Sequence, residues 1–251
     1  MTDLDLCYLS ADEAISAFKA RKLSPLDVLK AQIARAEAVE ADVNALPMTY
    51  YDRALEAAKK AEDRYMKTDG RLRPLEGITV AIKDETEVKG EITTSGSLIY
   101  KNNRNEWDDP VVARLKRAGA IIHARSAAPE FSCASFTHSR LWGVTRNPWN
   151  RDFTPGGSSG GAAAALSSGT TTLANGSDIA GSIRIPASAC GVVGFKPPYG
   201  RVPQTSPFNM DHYCHAGPLA RTVEDCRLFQ NVIAGPEATD MASLRPKLRI
   251  P

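Results

Sequence analysis

Residues 155–197 read PGGSSGGAAAALSSGTTTLANGSDIAGSIRIPASACGVVGFKP. Two serines in this stretch, Ser158 and Ser182, stand among glycines and other small residues. Glycines concentrated around a serine indicate backbone at positive φ or a close approach to another group. A serine hydroxyl is a poor nucleophile until a neighbouring group removes its proton. A base must therefore be found elsewhere in the chain.

A candidate base lies upstream, after the apolar run from Ile78 to Ile82. This short run is rich in β-branched residues and predicts a buried strand, which ends on Lys83. A lysine that loses its hydration there has a lowered pKa, so its neutral form becomes accessible near pH 7. The alternative is a lysine that reaches water from the strand end. The sequence alone leaves the burial of Lys83 open.

Together these segments resemble the amidase signature family, serine hydrolases that use a Ser–cis-Ser–Lys triad. The similar segments run in the family's order from about Leu75 to Asp225. They are Lys83-Asp84, Thr94-Ser95-Gly96-Ser97, Gly156-Gly157-Ser158-Ser159-Gly160-Gly161, Ser177-Asp178, Gly181-Ser182-Ile183-Arg184-Ile185-Pro186-Ala187, Cys190-Gly191-Val192-Val193-Gly194-Phe195-Lys196-Pro197 and Gly217-Pro218-Leu219-Ala220-Arg221-Thr222.

The resemblance implies a role for each member of the triad. Ser182 is the acyl-forming nucleophile, Lys83 the neutral general base, and Ser158, after a cis peptide bond, passes protons between them. No metal and no cofactor are implied. The expected oxyanion and substrate-binding residues are Ile179, Ala180, Gly181, Cys133 and Ser159.

The turn before Ser182 supports an oxyanion site on physical grounds. Successive N–H groups of Ile179, Ala180 and Gly181 can converge on one point, where they would stabilise a tetrahedral intermediate. Taken alone, the same turn also suits a solvent-facing serine. Asp178 and Arg184 flank the nucleophile, and we expect them to hold its loop through charge-assisted hydrogen bonds.

Two other motifs favour weaker hypotheses. Ser158 and Ser159 both fit G-x-S-x-G, but the nucleophile elbow needs a strand immediately before the serine. Residues 146–155 hold two prolines and two asparagines, which argues against such a strand. His212 and His215 could suggest a metal pair, but a third ligand candidate is missing nearby, so we expect an ordinary loop.

The sequence departs from the family pattern at two places. Ala180 replaces a usual glycine in the oxyanion turn, so its backbone should not need a positive φ. Ala127 replaces a usual asparagine near the pocket. Both differences make the substrate harder to infer.

Composition indicates an ordinary soluble globular chain. It has 251 residues, 43% hydrophobic and 24% charged, with a net charge of +2 and no dense basic stripe. These values argue against nucleic acid as a partner, and no run reaches membrane-helix length. The N-terminus lacks a signal peptide pattern. Five scattered cysteines without CxxC spacing predict reduced thiols and a cytoplasmic location.

The expected fold is α/β, a mixed β-sheet core flanked by helices, apparently without the C-terminal part of the family fold. Residues 1–70 are expected to form an N-terminal helical arm, and residues 71–251 the amidase signature core. Helices are expected from Ser10, from Ser24-Pro25, over residues 51–67, after Asp109-Pro110, over residues 162–166 and over residues 222–233. Strands are expected over residues 78–82, 120–122 and 191–195.

Three functions follow as hypotheses. The first is a cytoplasmic amidase that hydrolyses a small or medium linear carboxamide. The second is an amidotransferase subunit that releases ammonia from glutamine for a partner complex; such subunits tend to carry glutamine where this chain has Ile185, which favours the first. The third is a non-catalytic half-domain that needs a separate C-terminal chain of the same protein. Formation of a homodimer is left open.

Overall fold

One mixed sheet organises the part of the chain that the computed structural model describes, residues 2–67, 71–243 and 246–251. The strands in chain order are β1 (Met48–Thr49), β2 (Thr79–Lys83), β3 (Ile121–Ser126), β4 (His138–Ser139), β5 (Gly143–Val144), β6 (Leu173–Asp178), β7 (Val193–Gly194) and β8 (His215–Ala220). The main sheet has the order β1-β3-β2-β6-β8-β7, and β4 and β5 form a separate two-stranded sheet.

The centre of the sheet is parallel and its edges are antiparallel. Strand β2 runs parallel to β3 on one side and to β6 on the other. Strand β1 pairs antiparallel with β3, and β8 pairs antiparallel with β6 and β7. The expected mixed α/β fold is confirmed. The carboxyl ends of β2 and β6 meet at one edge of the sheet, where a binding site is usual in such folds.

The helices begin where the sequence supplies a cap. Ser10 and Ser24 each accept a backbone N–H from their own first turn, and Pro25 and Pro110 occupy first helical positions. All six expected helices are present within two residues of their predicted ends, and two further helices, over residues 3–8 and 184–190, were not predicted. The helices are α1 (Asp3–Tyr8), α2 (Ala11–Lys19), α3 (Pro25–Val43), α4 (Tyr51–Met66), α5 (Pro110–Arg117), α6 (Gly160–Ser168), α7 (Arg184–Cys190) and α8 (Val223–Ile233).

The N-terminal helices contribute to the same core as the sheet. Phe18 of α2 and Tyr65 of α4 lie 5.5 Å apart between ring centres and belong to one buried cluster with Leu75 and Ile82. Strand β1, in the segment expected to be wholly helical, extends the sheet through the pairing of Met48 with Arg125. The expected domain boundary at residue 70 lies outside the described residues and stays a proposal.

Two central strands were not predicted from the sequence. Strand β6 reads LANGSD and β8 reads HAGPLA, and both contain residues that are poor in strands. They pair along six residues each, from Leu173 with Ala220 to Asp178 with His215. Their stability comes from this pairing and from burial. None of the described helices is both long and apolar enough to cross a membrane.

Candidate active site

A cavity of about 460 Å³ opens at the carboxyl ends of β2 and β6. Its volume is in the range usual for small-molecule sites. Its wall includes both predicted serines and, among the described residues, three carboxylates and no Lys, Arg or His side chain. The acidic and triad residues on this wall are Glu85, Glu87, Asp109, Ser158 and Ser182.

Lys83 is fully buried at the end of β2. The pairing of β2 with β6 ends at Ala81 and Ala174, and beyond this point the side chain of Asn175 replaces the backbone ladder. Its Oδ1 accepts the N–H of Lys83 at 2.8 Å, and its Nδ2 donates to Thr86 Oγ1 at 3.0 Å. The Asn175 side chain thus satisfies the buried N–H of Lys83 where the strand pairing has ended.

The amine of Lys83 has three acceptors. Its Nζ lies 2.7 Å from Ser158 Oγ, 2.9 Å from Ser177 Oγ and 3.1 Å from Glu85 Oε1. Burial lowers the pKa of Lys83, although the carboxylate of Glu85 opposes this shift. The sequence left the burial of Lys83 open, and the structure shows that this side chain is fully buried.

The backbone beside Ser158 has two unusual features. The peptide bond between Gly157 and Ser158 is cis, as the resemblance implies. A Cβ on Gly157 would lie 2.6 Å from the backbone N and O of Phe136, so only glycine allows this approach. The neighbouring Ser159 is buried and absent from the cavity wall. Its N–H donates to the carbonyl of Ser182 at 3.1 Å, which ties the two serine loops together.

Ser182 lies half-buried on the cavity wall, where substrate can reach it. Its hydroxyl makes no hydrogen bond within the described part of the chain. The predicted contact from Ser158 to Ser182 is therefore not formed in this structure, although both residues line the same cavity. Catalytic hydrogen bonds are often long without substrate and tighten in the reacting complex.

The turn before Ser182 leaves several N–H groups free. The amides of Ile179, Ala180 and Ser182 have no acceptor among the described residues, and all three residues line the cavity. Gly181 differs, because its N–H donates to Asp178 Oδ1 at 2.7 Å and its φ is +120°. Ala180 has no positive φ, in agreement with the prediction for this position.

The carboxylate of Asp178 stabilises the turn before Ser182 through hydrogen bonds to its backbone. Its carboxylate accepts the N–H groups of Gly181, Ile183 and Arg184, and the Arg184 side chain donates to both oxygens at 3.0 Å. Burial opposes the ionisation of Asp178, but these hydrogen bonds, led by Arg184, outweigh it and hold its pKa well below the usual range. The predicted role of Asp178 and Arg184 in ordering the loop is confirmed.

Replacement of Asp178 by alanine should destabilise the protein by about 2–4 kcal/mol, because it leaves buried amides without an acceptor. Arg184→Ala, which removes an exposed partner of the same carboxylate, should cost less than about 1 kcal/mol. Urea unfolding of both variants measures the difference. Equal losses would show that the ion pair, and not the amide contacts, orders the turn. The contribution of Asp178 should fade as the pH falls toward its lowered pKa.

The other expected site residues take different places. Cys133 is exposed on the cavity wall, and its Sγ lies 3.2 Å from the carbonyl of Phe131. Ala127 is buried away from the cavity, where its carbonyl accepts the N–H of Gly161. The sequence analysis missed the roles of Ser177, Asn175 and Glu85. Ser177 stood in the quoted Ser177-Asp178 segment without a role assigned to it, and Glu85 and Asn175 had no sequence signal besides their proximity to the Lys83 and Asp178 motifs.

The weaker motifs do not form sites. No strand immediately precedes Ser158, so the nucleophile elbow is excluded. His212 lies in the expected loop, but His215 is the first residue of β8, and its Nε2 is 3.0 Å from the carbonyl of His212. Within residues 2–67, 71–243 and 246–251, no cluster of three or more potential metal ligands occurs.

Comparison with known proteins gives consistent matches. A family model described as Amidase matches residues 27–249. A glutamyl-tRNA(Gln) amidotransferase subunit of Carboxydothermus hydrogenoformans is 40% identical over 244 residues, 96% of this chain and 50% of the relative. An acylamidase of Rhodococcus erythropolis is 39% identical over 246 residues, which are 97% of this chain and 51% of the relative. The crystal structure of a bacterial aryl acylamidase from the amidase signature family superposes with a TM-score of 0.90 at 35% sequence identity. The match covers 96% of this chain and 50% of that protein. The chain spans about half the length of these relatives.

Proposed function

Since the chain belongs to the amidase signature family, we propose that it hydrolyses a small or medium linear carboxamide through an acyl-Ser182 intermediate. The observation that carries this proposal is the buried amine of Lys83, hydrogen-bonded to Ser158 behind a cavity that also exposes Ser182. Acyl transfer by serine needs a nucleophile and a base to activate it, and here Ser158 can connect the two.

The proposed reaction begins with two coupled proton transfers. Ser158 gives its hydroxyl proton to Lys83 Nζ and receives the proton of Ser182 Oγ. The oxygen of Ser182 forms a bond to the amide carbon, and the carbonyl electrons move onto oxygen. When the C–N bond breaks, the proton returns from Lys83 through Ser158 to the leaving nitrogen. Water then repeats the sequence on the ester and releases the carboxylate.

The oxyanion of the tetrahedral intermediate would lie against the turn before Ser182. The free amides of Ile179, Ala180 and Ser182 supply the donors. Gly181 contributes through its backbone conformation, since its own N–H is engaged by Asp178. Donors that are already oriented stabilise developing charge without reorganisation, and each is worth about 10²- to 10³-fold in rate.

The relatives raise a second candidate, a glutamine-dependent amidotransferase subunit. Glutamine carries a carboxylate, which needs a cationic partner when it leaves water. The described cavity wall holds Glu85, Glu87 and Asp109 and no cationic side chain. The apolar Ile185 also lines it. These features favour a substrate without a carboxylate.

A panel of amides tests the choice. We expect 4-nitroacetanilide, hexanamide or glycinamide to be hydrolysed with a kcat/KM at least about 100-fold above that for glutamine, because the carboxylate of glutamine would be buried unpaired. Ammonia or aniline release gives the rate. A preference for glutamine would support the amidotransferase hypothesis.

Because this chain spans about half the length of its relatives, the proposed function includes a partner chain. A separate C-terminal chain or a second copy of this chain would add wall to the cavity, and the chain alone would then be an inert half-domain. Native mass spectrometry of the purified protein detects either partner. The panel is therefore run on the purified chain and on any complex that co-purifies with it.

A further inference from the structure

The carboxylate nearest to the proposed base belongs to Glu85, two residues after Lys83. Its Oε1 lies 3.1 Å from Lys83 Nζ, and its Oε2 accepts the hydroxyl of Ser132. Glu85 is half-buried and lies on the cavity wall, whereas Lys83 is fully buried behind it. The pair is therefore only partly screened by solvent, and its interaction is stronger than that of a surface ion pair.

The hydrogen-bond partners of Lys83 determine the direction in which the lone pair of its neutral amine points. A protonated Lys83 has three N–H groups and three neighbours, Ser158, Ser177 and Glu85. A neutral amine has two N–H groups and one lone pair. An ionised carboxylate can only accept, so Glu85 must keep one N–H. If Ser177 keeps the other, the lone pair faces Ser158, from which the proton is to be taken.

We propose that Glu85 is the positioning residue of Lys83: it directs the lone pair of the amine toward Ser158 and sets the pH at which that lone pair becomes available. This inference rests on the proposed function for its role in turnover. The contact itself is a property of the structure. A nearby negative charge stabilises the ammonium form, so Glu85 makes the amine neutral only at a higher pH than burial alone would allow.

Other charged groups around the pair are already engaged or lie farther along the wall. Asp84 turns away from the cavity and accepts from Thr94 and Trp142. Asp178 is held by Arg184 and Lys196. Burial opposes ionisation of Glu85, but the charge of Lys83 and the hydrogen bond from Ser132 lower its pKa. The remaining titratable or charged groups facing this region are Arg125, which donates to the Lys83 carbonyl, Cys214, Glu87 and Asp109.

Glu85→Gln keeps the shape of the side chain and removes its charge. Glu87→Gln is the matched control, because it removes a carboxylate from the same wall without a contact to Lys83. Two measurements are made on each purified protein: the pH dependence of kcat/KM on the best amide, and the pKa of Lys83 from NMR titration of ¹³Cε-labelled lysine, assigned with Lys83→Met.

In Glu85→Gln, both the rising limb of activity and the NMR midpoint should move to lower pH by about 1 to 3 pH units. In Glu87→Gln, both midpoints should stay near the wild-type value. Glu85→Ala, which also loses the acceptor for the N–H, should have a plateau rate roughly two- to tenfold below that of Glu85→Gln.

The results separate the inference from the function on which it rests. An NMR midpoint that is unchanged in Glu85→Gln, or that shifts equally in Glu87→Gln, would overturn the assignment. If the NMR midpoint shifts only in Glu85→Gln while neither the chain nor any complex that co-purifies with it hydrolyses an amide, Glu85 still controls Lys83 and the proposed function is wrong. Equal plateau rates in Glu85→Ala and Glu85→Gln would overturn the directional role.

Discussion

Ser182→Ala should reduce amide hydrolysis by about 10⁴- to 10⁶-fold, because it removes the hydroxyl proposed to form the acyl-enzyme. The fold should be unaffected, since the hydroxyl of Ser182 makes no hydrogen bond within the described residues and lies at the cavity surface. The turnover rate on the best amide from the panel measures the loss of activity, and urea unfolding measures the free energy of unfolding. A fluorophosphonate that labels serine nucleophiles should add its mass to the wild type and not to the variant.

The exposed Ser188 of α7 supplies the matched control, because Ser188→Ala makes the same chemical change near the site but outside the cavity wall. It should retain wild-type turnover and fluorophosphonate labelling. If Ser182→Ala keeps near wild-type turnover, or if the label is found on another serine, Ser182 is not the nucleophile.

Lys83→Met should lower kcat/KM by about 10²- to 10⁴-fold, the usual contribution of a general base. Methionine fills a similar volume, so the loss reports the amine and not a cavity. Lys83→Arg should fail as well, because a guanidinium stays protonated at every accessible pH. Rates and thermal unfolding are measured for all three proteins.

The pH dependence of activity shows whether Lys83 acts as a neutral base or as a positive charge. Burial lowers the pKa of Lys83, and only the neutral amine can accept the proton of Ser158. Wild-type activity should therefore rise with pH through the lowered pKa of Lys83, and this limb should be absent from the residual activity of Lys83→Met. An active Lys83→Arg variant would show that the residue supplies positive charge alone.

Much of the architecture could be predicted because local pattern and tertiary environment agree. Ser10, Ser24 and Asp109 cap helices where their sequences indicate. The apolar run ending on Lys83 forms the predicted strand, since a continuous β-branched run is stable only when both faces are buried. The order of Lys83, Ser158 and Ser182 was recognisable because each stands in a distinctive small-residue or strand-end context.

Strands β6 and β8 escaped prediction because their stability is not local. Asn175, Gly176 and Pro218 disfavour strands in isolation, yet they pair within the sheet and are covered by α6 and α8. The same holds for the short strand β1, which is stabilised by its pairing with β3. The partners that stabilise these strands lie far away in the sequence, so a local sequence pattern does not reveal them.

By itself, the sequence determined the caps of α2, α3 and α5, the buried strand before Lys83, six of the eight described helices and the identity of the three triad candidates, because these depend on neighbours along the chain. Only the tertiary structure decided that Lys83 is fully buried, that its amine contacts Ser158, Ser177 and Glu85, and that Asp178 takes the N–H of Gly181. These contacts join residues on different strands and loops. Their energies depend on distance and solvent exclusion, which exist only once the chain has folded.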